Sequence, residues 1–548
     1  MAQNSVGHEP WHYRPGEMVV AVELGEDEAT HARAHGAVRQ ALEGTLGRGA
    51  GSVFRDQQRH PTPIVFRARG RPPLGFLFYD LAEPDSHDYT KQAIHDSHAN
   101  DLAAFDSAGR GGITPIGVMP HWLGSLQQGF DDGSPATLPG PVDVEPGRWT
   151  RNYAPTDESL DFRRQLAQQS GGSQPEAAWP PVLVLDTEPD WSRVRQQADH
   201  YRDRNAQLPE LLNFLGNTDL EDWHVQALAE RNREALKLAP TPDGRSRDYD
   251  MSDHSMFIAG LIHDLSPRSP VWIRPVLNRF GVGDFHLLLQ VLESVLRNKA
   301  TDDPLVINMS FGYLPKWEQL PWLWYGVQPA NDPDFVSDVP IRGEARDVGW
   351  MNRNRPEIER TRRLLHTGIE RLAEYLLLNN CLGVAAVGND SLHRVQTGRP
   401  RFGPRVPARY GTILGVAATT SDPDAAAEYS NLGDTLEVGD HIATFGGGIN
   451  ATEDLPRDGV IGVYTAPTFP RPGGSAAERS NTNGWAAWLG TSFATAIASG
   501  LVGAFWSANR DLRADEVLAQ FHTLARHYAP AVATPSIGMR GSWEPASS

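Results

Sequence analysis

The chain has 548 residues, 40% of them hydrophobic, 9% aromatic and 22% charged, which is the profile of a globular protein with a substantial core rather than of a disordered or fibrous one. A formal charge of −18 argues against nucleic-acid or anionic-membrane partners, which need a basic face toward phosphate. One cysteine, Cys381, excludes a disulfide framework and any cysteine-based zinc or iron–sulfur site, and no run reaches the ~18 apolar residues of a membrane span.

The first twenty residues lack a basic start followed by an apolar run, so a cytoplasmic location is expected. Residues 18–119 alternate between strand-like runs (18–24, 64–67, 74–80, 113–119) and helix-like ones (26–42, 89–105), spelling strand–helix–strand–strand–helix–strand. His95 and His98 could share a helix face at metal-ligand spacing, but without further ligands they define no metal site. The stretch 129–147, GFDDGSPATLPGPVDVEPG, reads as an exposed linker open to nicking.

Beyond it, short continuous apolar runs recur at 181–185, 271–277, 305–309, 382–387 and 413–417, with helical periodicity at 285–298 and 361–379. Uniformly apolar strands separated by helices describe an α/β fold with a doubly wound, mostly parallel sheet, whose functional residues sit at the carboxyl ends of strands. Polar, Pro- or Trp-bearing stretches near 192–250, 313–356 and 446–483 read as insertions. In the second, Trp317, Trp322, Trp324 and Trp350 either pack it onto the core or form an aromatic rim.

Four polar residues interrupt the apolar blocks: Asp186 closes a strand, His254 opens an apolar helix, Asn389 ends a strand and Ser492 opens a small-residue helix. Singly each has an ordinary explanation as a cap, a turn or a surface residue. Together they supply a nucleophile at a helix N-terminus, a base, a carboxylate to orient it and an amide for a developing oxyanion.

The segments PVLVLDTEPDW, DHSMFIAGLI, LVINMSFG, GVAAVGND and GTSFATAIASG resemble, in order, the aspartate, histidine, substrate-strand, asparagine and serine blocks of the subtilisin-like serine proteases (subtilases, peptidase S8). The Asp…His…Asn…Ser order distinguishes them from unrelated triad enzymes. The resemblance spans about 181–530 and implies a subtilisin-like fold, a serine endopeptidase acting on protein or peptide substrates, Asp186, His254 and Ser492 as triad, and Asn389 as oxyanion residue. It further implies that Ser310, Phe311 and Gly312 pair with substrate backbone as an added strand, with Ala386, Val387 and Gly388 walling the first pocket. Arg405 falls near the floor of that pocket, where a guanidinium would select an acidic residue before the scissile bond.

Three neighbours depart from the family pattern: Glu188 and Ser255 stand where glycine is usual, and Ala496 where proline is. The calcium loop common after the histidine helix is shortened, so calcium is not expected and no cofactor is implied. Residues 1–128 resemble the family's propeptide domain, an inhibitor of its own catalytic domain, with 129–180 as linker, 181–530 catalytic and 531–548 a tail. This organisation implies a zymogen that cuts itself within 124–150, or a latent enzyme awaiting an activating protein partner. The rival readings are a binding protein on an inactive protease scaffold and a Ser-Glu-Asp carboxyl peptidase. The intact Asp186, His254, Asn389 and Ser492 disfavour the first, and His254 and Asn389 the second.

Overall fold

The computed structural model describes residues 13–46, 53–83, 87–99, 112–125, 139–142, 153–155, 179–205, 207–215, 250–313, 353–420, 422, 425–432, 441–449, 459–470, 479–524, 526–527, 535–536 and 539–541. They fall into two compact units, each discontinuous along the chain: 1–123 with 284–302 and 313–379, and 124–283 with 303–312 and 380–548.

In the first unit the strands Tyr13–Leu24, Leu74–Asp80 and Ile64–Phe66 pair antiparallel, and Ile113–Ser125 pairs with the other side of Tyr13–Leu24. Helices Glu28–Leu46 and His87–Ala99 complete the strand–helix–strand–strand–helix–strand order. All seven residues of Leu74–Asp80 are buried, so this antiparallel strand is covered on both faces. Tyr79 faces the first helix, donating to His35 O at 2.9 Å. On the opposite face Phe76 meets Phe285 edge-on at 5.6 Å, and a Cβ at Gly368 would strike Met119, Ala21 and Phe76. The second face is therefore closed by helices Phe285–Asn298 and Arg355–Leu378, which come from much later in the chain.

His98 is buried in this unit and pairs through Nε2 with Val118 O at 2.8 Å. His95 points elsewhere, 3.9 Å from Glu357. Among the described residues no group of three or more His, Cys, Asp or Glu could hold a metal ion.

The second unit is built on an eight-stranded sheet. Its parallel core runs in the order Val271–Leu277, Val182–Thr187, Leu305–Met309, Cys381–Ala386, Ile413–Thr419, His441–Phe445. The apolar runs form these strands because a parallel sheet covered on both faces has no solvent side to alternate with. Helices His254–Leu265 and Thr491–Ala508 pack together along small residues; a Cβ at Gly500 would lie 2.8 Å from Leu265 Cβ and 3.2 Å from Ile262 O. The Thr491–Ala508 helix is long and apolar enough to cross a membrane, but it is 83% buried inside the protein, so its apolarity reflects a core position.

Several segments differ from their sequence reading. Helices Trp191–His200 and Gln207–Leu215 occupy the start of the expected insertion 192–250, the latter burying Leu208, Leu211 and Leu215. The expected linker contributes Gly140–Pro141, which pairs with Ala486 and Ala487, and Tyr153–Pro155, which pairs with Met539–Gly541 of the expected tail. Exposed backbone donors and acceptors at strand edges recruit such pieces whatever their side chains. Trp317, Trp322, Trp324 and Trp350 lie outside the described residues.

Candidate active site

The strand Val182–Thr187 ends by burying its one carboxylate. Asp186 is fully buried and accepts from Thr187 N at 2.7 Å and Thr187 Oγ1 at 3.1 Å. Its other partner is His254, the first residue of the next core helix, whose Nδ1 lies 2.9 Å from Oδ1 and 3.0 Å from Oδ2. Carboxylate oxygens only accept, so Nδ1 carries the hydrogen and Nε2 of the neutral ring is left with its lone pair. Trp488 and Phe493 flank the imidazole, each with its ring centroid 5.4 Å away.

Asp253 precedes that helix without a side-chain cap to it and ties its start to residues 465–466 instead. Its carboxylate accepts from Thr465 N at 3.1 Å, from Ala466 N at 2.6 Å and from Thr465 Oγ1, with Arg193 Nη2 at 3.4 Å. Burial pushes its pKa up, more than Arg193 lowers it. At the usual glycine position, Ser255 is buried with its hydroxyl unpaired, while Glu188 is exposed at the surface and half-desolvation raises its pKa.

Ser492 is the second residue of the helix Thr491–Ala508. There its N–H belongs to the first turn, which has no intrahelical acceptors and carries the positive end of the helix dipole. The hydroxyl donates to Ser310 O at 3.0 Å, and Ser310 Oγ returns a bond to Ser492 O at 3.1 Å. No hydrogen bond joins Ser492 to His254 in this arrangement, where the hydroxyl proton is committed to Ser310 O. At the usual proline position Ala496 is buried in an unbroken helix, and Thr495 Oγ1 bonds back to Thr491 O at 2.7 Å.

Asn389 is tied to the same helix. Thr491 N and Thr491 Oγ1 both approach its Oδ1 at 2.9 Å. A backbone N–H can only donate, so the facing atom is the amide oxygen and Nδ2 turns toward Gly490. Gly490 has φ +155°, a backbone conformation that favours glycine, and a Cβ there would lie 3.4 Å from Nδ2.

Ser310, Phe311 and Gly312 are all buried, with Ser310 anchored through Asn308 Oδ1 at 3.0 Å. Ala386 closes the strand Cys381–Ala386, Val387 and Gly388 follow it, and Val387 O accepts from Arg405 N at 2.9 Å. Arg405 is brought to this strand end, but its fork is engaged: Nε and Nη2 bind the two oxygens of Asp390 at 2.8 and 2.6 Å. The sequence reading leaves that guanidinium for substrate; in the structure Asp390 is its partner. Sequence reasoning also passes over Thr187, Thr491 and Asn431; the first two adjoin motif residues, in DTEP and GTSF.

The sheet order, with polar residues gathered at the carboxyl ends of its strands, defines a doubly wound α/β protein whose chemistry lies at those ends. Residues 283–535 match the model of the subtilase family, a span that includes Asn389 and Ser492. Over that span the chain is similar to a subtilase (peptidase S8) domain. Among solved structures it is similar to a lanthipeptide protease (17% identity, 73% of this chain and 98% of that one, TM-score 0.40). It is also similar to the epidermin leader peptide processing serine protease EpiP of Staphylococcus aureus, both as a serine-to-alanine mutant (12%, 96% and 99%, TM-score 0.43) and without that mutation (14%, 95% and 97%, TM-score 0.41). No curated protein matches.

Proposed function

We propose that Ser492 is the nucleophile, His254 its general base, Asp186 the group that orients and stabilises the imidazolium, and Asn389 an oxyanion donor beside the Ser492 N–H. The observation that carries this reading is the contact of His254 Nδ1 with both oxygens of Asp186, which leaves Nε2 as the proton acceptor. As Ser492 Oγ attacks the peptide carbonyl its proton passes to Nε2. The oxyanion forms against Asn389 Nδ2 and the first-turn N–H, and His254 then protonates the departing amine. Water, deprotonated by the same ring, attacks the acyl-enzyme and releases Ser492.

The chain is made as an autoinhibited precursor in this proposal, with 1–128 as the inhibitory domain and self-cleavage within 124–150. Support comes from the first unit, where the N-terminal sheet packs against two helices, Phe285–Asn298 and Arg355–Leu378, from within the family-matched span. An acidic preference through Arg405 finds less support, since its charge is already matched by Asp390.

The test is a serine-directed fluorophosphonate probe with intact mass followed over hours. Wild type should take up the probe and lose its N-terminal domain, whereas Ser492→Ala should do neither. Labelling or processing that persists in Ser492→Ala would remove the assignment. Peptides differing only in Asp, Glu or Leu before the scissile bond test the acidic preference separately.

A further inference from the structure

The loop that follows strand Cys381–Ala386 and carries Asn389 is held on both sides by one buried polar knot. Val387 O accepts from Asn431 Nδ2 at 3.1 Å as well as from Arg405 N at 2.9 Å, and Gly388 O accepts from Asn431 N at 2.9 Å. Past Asn389, Asp390 N donates to Asn431 Oδ1 at 3.0 Å, and Ser391 Oγ donates to the same atom at 2.9 Å. The Asp390 carboxylate then takes Arg405 Nε, Arg405 Nη2 and Asn431 Nδ2 at 2.8, 2.6 and 2.8 Å. Its side chain is 0% exposed and that of Arg405 9%.

Stability alone does not account for this arrangement, because a buried ion pair recovers little more than the desolvation it costs. A two-point guanidinium–carboxylate contact supplies direction: it fixes an angle as well as a distance. Here the direction is imposed on the residue after Asn389, while Asn431 imposes it on the two residues before. Gly388, at φ +109°, makes the turn between them. With the backbone held from both sides and Oδ1 held by Thr491, the amide N–H₂ has one way to point.

We infer that the Asp390–Arg405–Asn431 knot positions the Asn389 amide for the oxyanion, and that Arg405 is a positioning residue for the transition state, not a recogniser of acidic substrate side chains. The inference rests on the proposed roles of Ser492 and Asn389. Misalignment of an oxyanion donor costs less than its deletion, which is worth ~10²–10³ in turnover, and small displacements at a reacting centre are felt strongly.

The experiment measures kcat and KM of the full chain on chromogenic peptides with Glu or Leu before the scissile amide, normalised by fluorophosphonate active-site titration. Arg405→Gln should lower kcat ~10-fold or more on both peptides and leave their KM ratio unchanged. Arg405→Lys, which keeps the charge but not the fork, should not rescue it. In an Asn389→Ala background the same change should cost at most ~2-fold, because residues acting through one group are not additive. If Arg405→Gln fails to fold, the neutral pair Asp390→Asn/Arg405→Gln takes its place with the same expectation. A loss confined to KM for the Glu peptide, unchanged kcat, or losses that multiply fully with Asn389→Ala would each overturn the inference. A wild type inert to both peptides and probe, or a Ser492→Ala variant as active as wild type, would overturn the proposed function first and this inference with it.

Discussion

The two units both bury charge, but to different ends. In the first, Arg14 binds Asp284 through Nε at 3.2 Å and Nη2 at 2.7 Å, Asp284 caps helix Phe285–Asn298 by accepting from Leu287 N, and His121 Nδ1 meets Glu17 at 2.6 Å. His121 Nε2 accepts the His286 N–H at 3.1 Å, with Asp284 Oδ1 3.6 Å away. These charges close on one another and knit strand to helix. In the second unit the Asp186–His254 pair is as deeply buried, yet it ends in an imidazole nitrogen with a lone pair, near the N-terminus of a helix that presents a hydroxyl. A buried charge is therefore not itself the mark of a site. The mark is a buried chain of hydrogen bonds that terminates in a reactive atom.

The contrast can be broken most sharply at Asp186. Asp186→Asn keeps the shape but can donate to Nδ1, favouring the wrong tautomer, and should lower kcat by ~10⁴-fold with little change in melting temperature. A drop in stability with kcat per folded molecule retained would place this pair with the structural ones. The mirror experiment is Asp284→Ala, which strands Arg14 and uncaps a helix. It should cost ~3–5 kcal/mol in urea unfolding of the first unit, and a loss under ~1 kcal/mol would show that the cluster contributes no more than a surface pair. Gly500→Ala pushes a methyl against the backbone of the histidine helix and should cost ~1–3 kcal/mol, read by the same titration; a neutral result would mean the two helices separate easily.

The smallest effect is on pH. Burial alone would raise Glu17, but His121, Arg59 and Arg14 outweigh it and hold the carboxyl at about 2. A depressed carboxyl adds stability above its ordinary value of 4.5, and that stability is lost as pH falls toward 2. Burial lowers His121, and the His286 N–H donated to its Nε2 also favours the neutral ring, but Glu17 and Asp284 outweigh both and raise it above 6.5. A raised histidine adds stability below 6.5 that is lost as pH climbs through the higher folded value. The first unit should thus be most stable between about 4.5 and 6.5, and His121→Gln should flatten the alkaline side of a melting-temperature profile. An unchanged alkaline side would show that His121 does not titrate with folding.

Much of this architecture is legible in the sequence, and the misses have physical causes. Strands Val271–Leu277 and Leu305–Met309 and helix Phe285–Asn298 fall where their periodicity places them. Helix Arg355–Leu378 starts before the expected 361, because Pro356 reads as the close of an insertion when its fixed φ and missing N–H suit a helix's first turn. Helix Gln207–Leu215 hides in a stretch whose overall polarity suggests an insertion, although Leu208, Leu211 and Leu215 keep the i, i+3, i+7 spacing of a buried face.

By itself the sequence determined the local elements and picked out Asp186, His254, Asn389 and Ser492, because strand and helix periods and strand-end polar residues are written into neighbouring positions. Only the tertiary structure decided the partners. Asp186 meets His254 across 68 residues, Asn389 meets Thr491 across 102, and Arg405 turns to Asp390 instead of standing open. Which donor faces which acceptor depends on strand order and helix packing, and those follow from contacts between segments distant in the chain.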